Sequence, residues 1–130
     1  TKGFVMEFIH APKACASVGP YSHCVKAGST YYLCGQVPFH PVTGEVVGNG
    51  MKEQAVQTLA NMKAVLEAAG LTVTDIAKTT VFVTNMDDFA AFNEVYAAFM
   101  GEHRPARVCV EVSNIAHGCL LEMDAICFKE

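Results

Sequence analysis

The stretch that decides the fold is 51–69, MKEQAVQTLANMKAVLEAA, which is followed at 79–84 by TTVFVT. In the first segment apolar residues recur at steps of three and four, as on one face of an α-helix, and Gly70 follows as a terminating residue. These apolar positions are Met51, Ala55, Leu59, Met62, Leu66 and Ala69. The polar face is predicted to carry Lys52, Glu53, Asn61, Lys63 and Glu67. The second segment is rich in β-branched residues and predicts a strand.

A second helix is predicted downstream of this strand, where Asn85, Asp87 and Asp88 are candidate capping residues. Gly101 is expected to end the helix. Its apolar stripe consists of Phe89, Phe92, Tyr96, Phe99 and Met100. The chain therefore offers two amphipathic helices, each of which needs an apolar surface to cover.

Further strands are predicted at 4–9 and around 31–33, and alternation of apolar and polar residues predicts two more at 107–112 and 120–128. The segment 40–44 contains Pro and Gly and predicts a turn. We therefore expect one α+β domain over residues 1–130, with a largely antiparallel or mixed sheet and two helices packed on one face.

The other face of this sheet needs a separate explanation, because two helices cover only one side. Strand residues of both parities are apolar, as in Ile126 and Phe128 against Ala125 and Cys127. An uncovered apolar face usually meets a partner, and a second copy of the same chain is the commonest one. The pattern predicts a homo-oligomer.

Composition excludes several classes of protein. Of 130 residues, 52% are hydrophobic, and 9 Lys and Arg against 13 Asp and Glu leave a formal net charge of −4. High apolar content with little net charge excludes a disordered chain. The acidic balance makes nucleic acid an unexpected partner, because phosphates are neutralised by clustered Lys and Arg. No segment has the length of a membrane span or the pattern of a signal peptide, so we expect a cytoplasmic protein without a membrane partner.

The chain has six cysteines, which invite a metal or disulfide interpretation: Cys15, Cys24, Cys34, Cys109, Cys119 and Cys127. No two of them lie two to four residues apart, as zinc ligands usually do, and the histidines are scattered. A disulfide scaffold is possible because the number of cysteines is even. Disulfide-dense domains, however, usually lack a sufficient hydrophobic core, whereas this chain has enough apolar residues to form one. We expect reduced thiols, several of them packed as small hydrophobes, and no metal or cofactor.

Arg107 and Glu122 are the charged residues most open to a chemical role. Arg107 stands at the entrance of an alternating strand and can offer a bidentate fork to a carboxylate, although a structural ion pair or an exposed edge position explains it equally. Glu122 lies inside the last strand and can act as a base on water. It can also belong, with Asp124, to a plain polar face.

Three further residues are candidates for a supporting role. Tyr21 is displayed by the rigid turn 19–22, which can line a pocket or only close a loop, and Cys109 shares the strand face of Arg107. Asn93 interrupts the apolar face of the second helix, so we expect it to hydrogen-bond the backbone of a neighbouring loop.

At these residues the sequence resembles the RidA/YjgF family, which is also described as endoribonuclease L-PSP. Six motifs occur in order over nearly the whole chain from Gly19 onward. They are Gly19-Pro20-Tyr21-Ser22, Cys34-Gly35-Gln36-Val37-Pro38, Thr43-Gly44-Glu45, Asn93-Glu94-Val95-Tyr96, Pro105-Ala106-Arg107 and Leu121-Glu122-Met123-Asp124-Ala125. The resemblance implies a chorismate-mutase-like fold, a homotrimer and sites in the clefts between subunits.

The activity that the resemblance implies is hydrolysis of reactive 2-enamine and 2-imino acids, such as 2-aminoacrylate, 2-iminobutanoate and 2-iminopropanoate, to 2-oxo acids and ammonia. Arg107 would bind the substrate carboxylate and Glu122 would activate water. The residues that would line the substrate pocket are Tyr21, Cys34, Asn93 and Cys109. No cofactor is implied.

Two departures and two alternatives accompany this expectation. Cys34 stands where the family commonly has Ser, and the loop 113–118 lacks the family's usual pattern, so the range of substrates can differ. Members of the family are also described as endoribonucleases or translation inhibitors. A non-catalytic trimer that binds small ligands or acts like a chaperone is the other alternative.

Overall fold

The fold alternates short strands with two long helices along the chain. The computed structural model describes residues 5–130. The elements are β1 (Met6–Ile9), β2 (Cys24–Ala27), β3 (Thr30–Gln36), α1 (Met51–Ala68), β4 (Ile76–Val83), α2 (Phe89–Met100), β5 (Ala106–Glu111) and β6 (Leu121–Phe128). Single 3-10 turns lie at Val73–Asp75, Met86–Asp88 and Ala116–Gly118.

The strands form one six-stranded sheet in the order β1-β2-β3-β6-β4-β5. All neighbours are antiparallel except β4 and β5, which run parallel and are connected through α2. The sheet is therefore mixed, and β5 is one of its two edges. The predicted α+β class, with a mixed sheet and two helices, is confirmed.

The core lies between the helices and one face of the sheet. Leu59 and Met62 of α1 and Phe92 of α2 are buried against strand residues such as Val81 and Met123. No helix in the described range covers the opposite face, which we call the open face. It exposes half of the Tyr32 and Phe128 side chains, at 50% and 53%, and 44% and 40% of Val108 and Val110.

The strands and helices agree with the sequence pattern in most places. Both helices are confirmed, although α1 ends one residue earlier than predicted, at Ala68. The predicted first strand begins at Phe4, which lies outside the described residues, and β2 was not predicted. Asn85 caps a 3-10 turn ahead of α2, since its Oδ1 accepts a bond from the Asp87 N–H at 2.9 Å.

Asn61 is buried, which corrects its predicted place on the polar face of α1. Its side chain is 2% exposed, and its Nδ2 donates to the carbonyl oxygens of Val37 and Phe39, each at 2.9 Å. The chain between β3 and α1 covers this flank of the helix, so the amide replaces water for two carbonyls. Gln54 acts similarly: its Oε1 accepts from the Leu120 N–H at 2.8 Å.

The cysteines form no disulfide in the structure. Cys24, Cys119 and Cys127 are buried, which confirms that several of them pack as small hydrophobes. Within residues 5–130, no helix is both long and apolar enough to cross a membrane.

The bonds of Asn61 lead to a stability prediction. Asn61→Ala leaves the buried carbonyl of Phe39 without a partner and removes one of the two donors to the Val37 carbonyl, which keeps the Phe39 N–H at 2.8 Å, so it should lower the free energy of unfolding by about 1–3 kcal/mol. Lys63→Ala, on the exposed side of the same helix, should change it by less than about 0.5 kcal/mol. Denaturant unfolding at one protein concentration measures both. Equal stability of the two variants would contradict the assigned role of Asn61.

Candidate active site

Arg107 lies on the helix-covered face of the sheet, near the start of β5. The register of the parallel pair places it beside Thr79, whose hydroxyl is buried and forms a 2.8 Å hydrogen bond with the Tyr96 hydroxyl of α2. Side chains that are direct neighbours on adjacent strands share a face. Arg107 therefore points toward α2.

The guanidinium of Arg107 is held by an amide and three aromatic rings of α2. Its Nη1 donates to Asn93 Oδ1 at 2.8 Å. Its central carbon lies 4.8 Å from the ring centre of Tyr96, 5.3 Å from that of Phe89 and 5.9 Å from that of Phe92. Asn93 thus bonds a side chain, which corrects the expectation of a backbone partner. Cation–π contacts and one hydrogen bond orient the fork without neutralising it.

The charge of Arg107 has no carboxylate partner among residues 5–130, where the single ion pair joins Lys52 and Glu94 at 2.8 Å. Four of its five N–H donors are therefore free of the Asn93 bond and can meet an anion. Cys109 lies on the same face, as predicted from alternation. Burial raises the pKa of the Cys109 thiol, and the nearby Arg107 lowers it by less.

Glu122 lies on the open face, in the middle of β6. It pairs with Phe82 of β4 and is half-buried. An irregularity in β3 between Leu33 and Gln36 brings Gly35 against its side chain. A Cβ at Gly35 would lie 3.0 Å from the carboxyl carbon of Glu122 and overlap one of its oxygens. A side chain at residue 35 would therefore displace the Glu122 carboxylate from this position.

The pocket beside Glu122 contains two of the other predicted residues, Tyr21 and Cys34. The Tyr21 hydroxyl accepts a long bond of 3.4 Å from the Val18 N–H, which leaves its own proton available to a ligand. Cys34 Sγ accepts from Gln36 Nε2 at 3.1 Å. Burial raises the pKa of the Cys34 thiol, and the charge of Glu122 raises it further, so it stays protonated near neutral pH and is a poor nucleophile.

His23 is a pocket residue that the sequence did not reveal. It is buried, its Nδ1 accepts from the Ala11 N–H at 2.9 Å, and its Nε2 lies 2.8 Å from the carbonyl oxygen of Cys15. The backbone donor on Nδ1 requires the proton on Nε2, which then donates to Cys15. The ring thereby fixes the segment 11–15, whose last residue, Cys15, begins the pocket wall formed by residues 15–18. No spacing signal marks such a residue, because its partners are backbone groups.

The carboxyl of Glu122 is a weaker acid than an ordinary glutamate. Burial raises the pKa of its carboxyl above the ordinary value, and the negative charge of Asp124 on the same face raises it further. Asp124 is fixed there because its Oδ1 accepts from the Thr80 N–H at 3.2 Å. Within residues 5–130 no cluster of three or more His, Cys, Asp or Glu is placed to hold a metal ion.

The six predicted site residues thus form two groups on opposite faces of one sheet. Arg107, Asn93 and Cys109 lie on the helix-covered face, and Glu122, Tyr21 and Cys34 lie on or beside the open face. Within one chain the sheet itself separates the arginine from the carboxylate. A ligand that touches both must lie between two copies of the chain.

The fold and these two groups define a small α+β protein with an arginine that has no carboxylate partner in the described range on one face of its sheet and a half-buried carboxylate on the other. A family model described as endoribonuclease L-PSP matches residues 10–129, and the chain belongs to this family. It is 48% identical to a RutC family protein of Pyrococcus horikoshii over 95% of this chain and 98% of that protein.

A second relative and a solved structure carry the names expected from the sequence. The chain is 45% identical to the 2-iminobutanoate/2-iminopropanoate deaminase of Escherichia coli, over 93% of this chain and 96% of that protein. It superposes with a TM-score of 0.90 on RidA from an Antarctic Psychrobacter, at 41% identity over 95% and 99% of the two chains. The resemblance to the RidA/YjgF family is confirmed.

The environment of Glu122 leads to a titration prediction. Its carboxyl should titrate above the ordinary value of 4.5. Asp124→Asn should lower the pKa of Glu122, because it removes a negative charge near that carboxyl while the new side chain can still accept from the Thr80 N–H. Carbon-detected NMR of the glutamate side chains measures this, with the exposed Glu67→Gln as control. A Glu122 pKa that is low, or unaffected by Asp124→Asn, would contradict this account.

Proposed function

We propose that this protein hydrolyses 2-imino acids, together with enamines such as 2-aminoacrylate, to 2-oxo acids and ammonia. The observation that carries the proposal is Arg107, which Asn93 and three aromatic rings orient and which has no carboxylate partner within residues 5–130. A fixed fork of this kind suits the carboxylate of a small acid. The name of the Escherichia coli relative, a 2-iminobutanoate/2-iminopropanoate deaminase, supports the same substrate class.

We infer that the working unit is a homotrimer with its sites in the clefts between copies. Placement of Arg107 and Glu122 on opposite faces supports a shared site, because Arg107 of one copy has to meet Glu122 of another. The uncovered apolar side chains of the open face, such as Tyr32 and Val110, support burial against a neighbour. The number three comes from the family resemblance.

The chemistry needs only the groups already described. The carbon of an imine is electrophilic, so binding the carboxylate on Arg107 and placing one water against that carbon supplies most of the catalysis. Glu122 takes a proton from the water as the water oxygen bonds to carbon, the C=N electron pair moves to nitrogen, and Glu122 then passes the proton to that nitrogen and is ionised again. The product of this step is a carbinolamine.

The second step breaks the carbon–nitrogen bond. Glu122 takes the hydroxyl proton of the carbinolamine and passes it to the amino nitrogen, the C–N electron pair leaves with that nitrogen as ammonia, and the carbonyl forms. One water is consumed for each 2-oxo acid and ammonia released. A carboxylate whose pKa is raised is a stronger base than an ordinary glutamate, so it takes a proton from water or from the carbinolamine hydroxyl more readily.

The remaining pocket residues are assigned to binding. The Tyr21 hydroxyl can donate to the substrate, and Asn93 holds Arg107 in place. Cys34 and Cys109 shape the cavity as protonated thiols. Because the cysteines form no disulfide, we also propose the reducing cytoplasm as the place of action.

Cleavage of RNA is the alternative that the family description raises, through the name endoribonuclease L-PSP. The formal net charge of −4 weighs against it, because affinity for nucleic acid depends on neutralised phosphates. A trimer that binds carboxylates without turnover is the other alternative.

Ammonia release in a coupled assay tests the proposed function. A dehydratase that acts on threonine generates 2-iminobutanoate, and the protein should accelerate formation of ammonia and 2-oxobutanoate above the spontaneous rate. Arg107→Ala removes a bidentate charge-assisted contact and should lower kcat/KM by about 100-fold or more. Lys52→Ala, an exposed cation elsewhere, should leave the rate unchanged.

Three outcomes would overturn the proposal. Full activity of Arg107→Ala would remove its central residue. Binding of 2-oxobutanoate without any turnover would favour the carboxylate-binding alternative. Ribonuclease activity that co-purifies with the protein and disappears in a point variant would favour the RNA alternative.

A further inference from the structure

The pocket that contains Arg107 also contains a second arginine. It opens between the end of α2 and the start of β5, has a volume of about 270 Å³ and is lined by Asn93, Tyr96, Ala97, Arg104, Pro105 and Arg107. This volume suits a small organic acid. The sequence pattern marks Arg107 at the entrance of its strand and gives Arg104 no role.

Arg104 is anchored although its side chain is exposed. Its Nη1 donates to the carbonyl oxygens of Gly101 at 2.6 Å and His103 at 2.9 Å. Gly101 ends α2 with a φ of 64°, which turns the chain sharply toward β5. These bonds use one nitrogen of the fork, and the other N–H groups stay available to a ligand.

Neither arginine of this pocket is neutralised by a carboxylate within the described range 5–130. Only 9 of the 130 residues of the chain are Lys or Arg, against 13 Asp and Glu, and two of the nine meet in this one pocket. Two uncompensated cations repel each other, so an arrangement of this kind favours a ligand that carries two negative charges. A ligand with two carboxylates can give each arginine its own partner.

We propose that this pocket selects 2-imino acids whose side chain carries a second anionic group, a carboxylate in the simplest case. Arg107 binds the carboxylate next to the imine, and Arg104 binds the carboxylate at the far end of the side chain. The inference rests on the proposed function and specifies its substrate class. Oxidation or dehydrogenation of an acidic amino acid is the class of reaction that supplies such imines.

Binding of stable 2-oxo acids tests the proposal without turnover. Calorimetry compares 2-oxoglutarate, which has two carboxylates, with 2-oxobutanoate, which has one. The wild-type protein should bind 2-oxoglutarate about five- to tenfold more tightly, because an exposed charge-assisted contact contributes modestly. This preference should shrink as salt concentration rises.

Arg104→Gln should bind 2-oxoglutarate and 2-oxobutanoate about equally tightly, because it removes the second cation. The matched control is Lys63→Gln, which removes an equal charge from the exposed face of α1 and should keep the wild-type preference. Size-exclusion chromatography of each variant reports the state of assembly.

Each other outcome overturns the proposal. Equal affinity for the two acids in the wild type, or a preference that survives Arg104→Gln, shows that Arg104 does not read a second carboxylate. A change of assembly in Arg104→Gln shows that the residue serves contact between copies. If Arg104→Gln loses affinity equally for 2-oxoglutarate and 2-oxobutanoate, Arg104 only maintains the shape of the pocket.

The same samples separate this inference from the proposed function. Turnover of 2-iminobutanoate without a preference for 2-oxoglutarate overturns the inference and keeps the deaminase. An Arg104-dependent preference in a protein with no turnover overturns the deaminase and leaves a binding site for dicarboxylates.

Discussion

The alternation of side chains across the sheet is the constraint on which the rest of this structure depends. The pairing of β4 with β5 and β6 sets Arg107 beside Thr79 and Glu122 beside Phe82, on opposite faces of the same layer. A shift of either pairing by one residue would exchange the faces. A fold that keeps this register keeps Arg107 and Glu122 apart within one chain, which is why the proposed function places them in a cleft between copies.

The surroundings of Arg107 on the covered face differ from those of Glu122 on the open face. On the covered face α2 provides the aromatic rings and Asn93, which orient Arg107 and leave its charge uncompensated. On the open face Gly35 lies against the Glu122 side chain, and burial together with the charge of Asp124 raises the pKa of Glu122. The buried amides of α1 hold the backbone next to this pocket, so the core packing of the helix and the geometry of the site depend on the same residues.

Much of this structure could be predicted from the sequence, because the helices have a clear period and the last two strands alternate. The short strand β2 could not, since four residues carry too little pattern. Burial of Asn61 depends on a loop distant in sequence, and so does the role of His23. The sequence also brought out Arg107 and Glu122 as separate candidates. Their opposite faces depend on pairing between distant strands, which no local pattern contains.

Complementation between two inactive variants tests most directly whether the site is shared between copies. Arg107→Ala and Glu122→Gln are each expected to be inactive alone, but a mixed assembly contains some clefts with both native residues. Random assembly of equal amounts should restore about a quarter of the wild-type deaminase activity, because each cleft needs one native contribution from each variant. No recovery in assemblies shown to be mixed would contradict a site built from Arg107 of one copy and Glu122 of another.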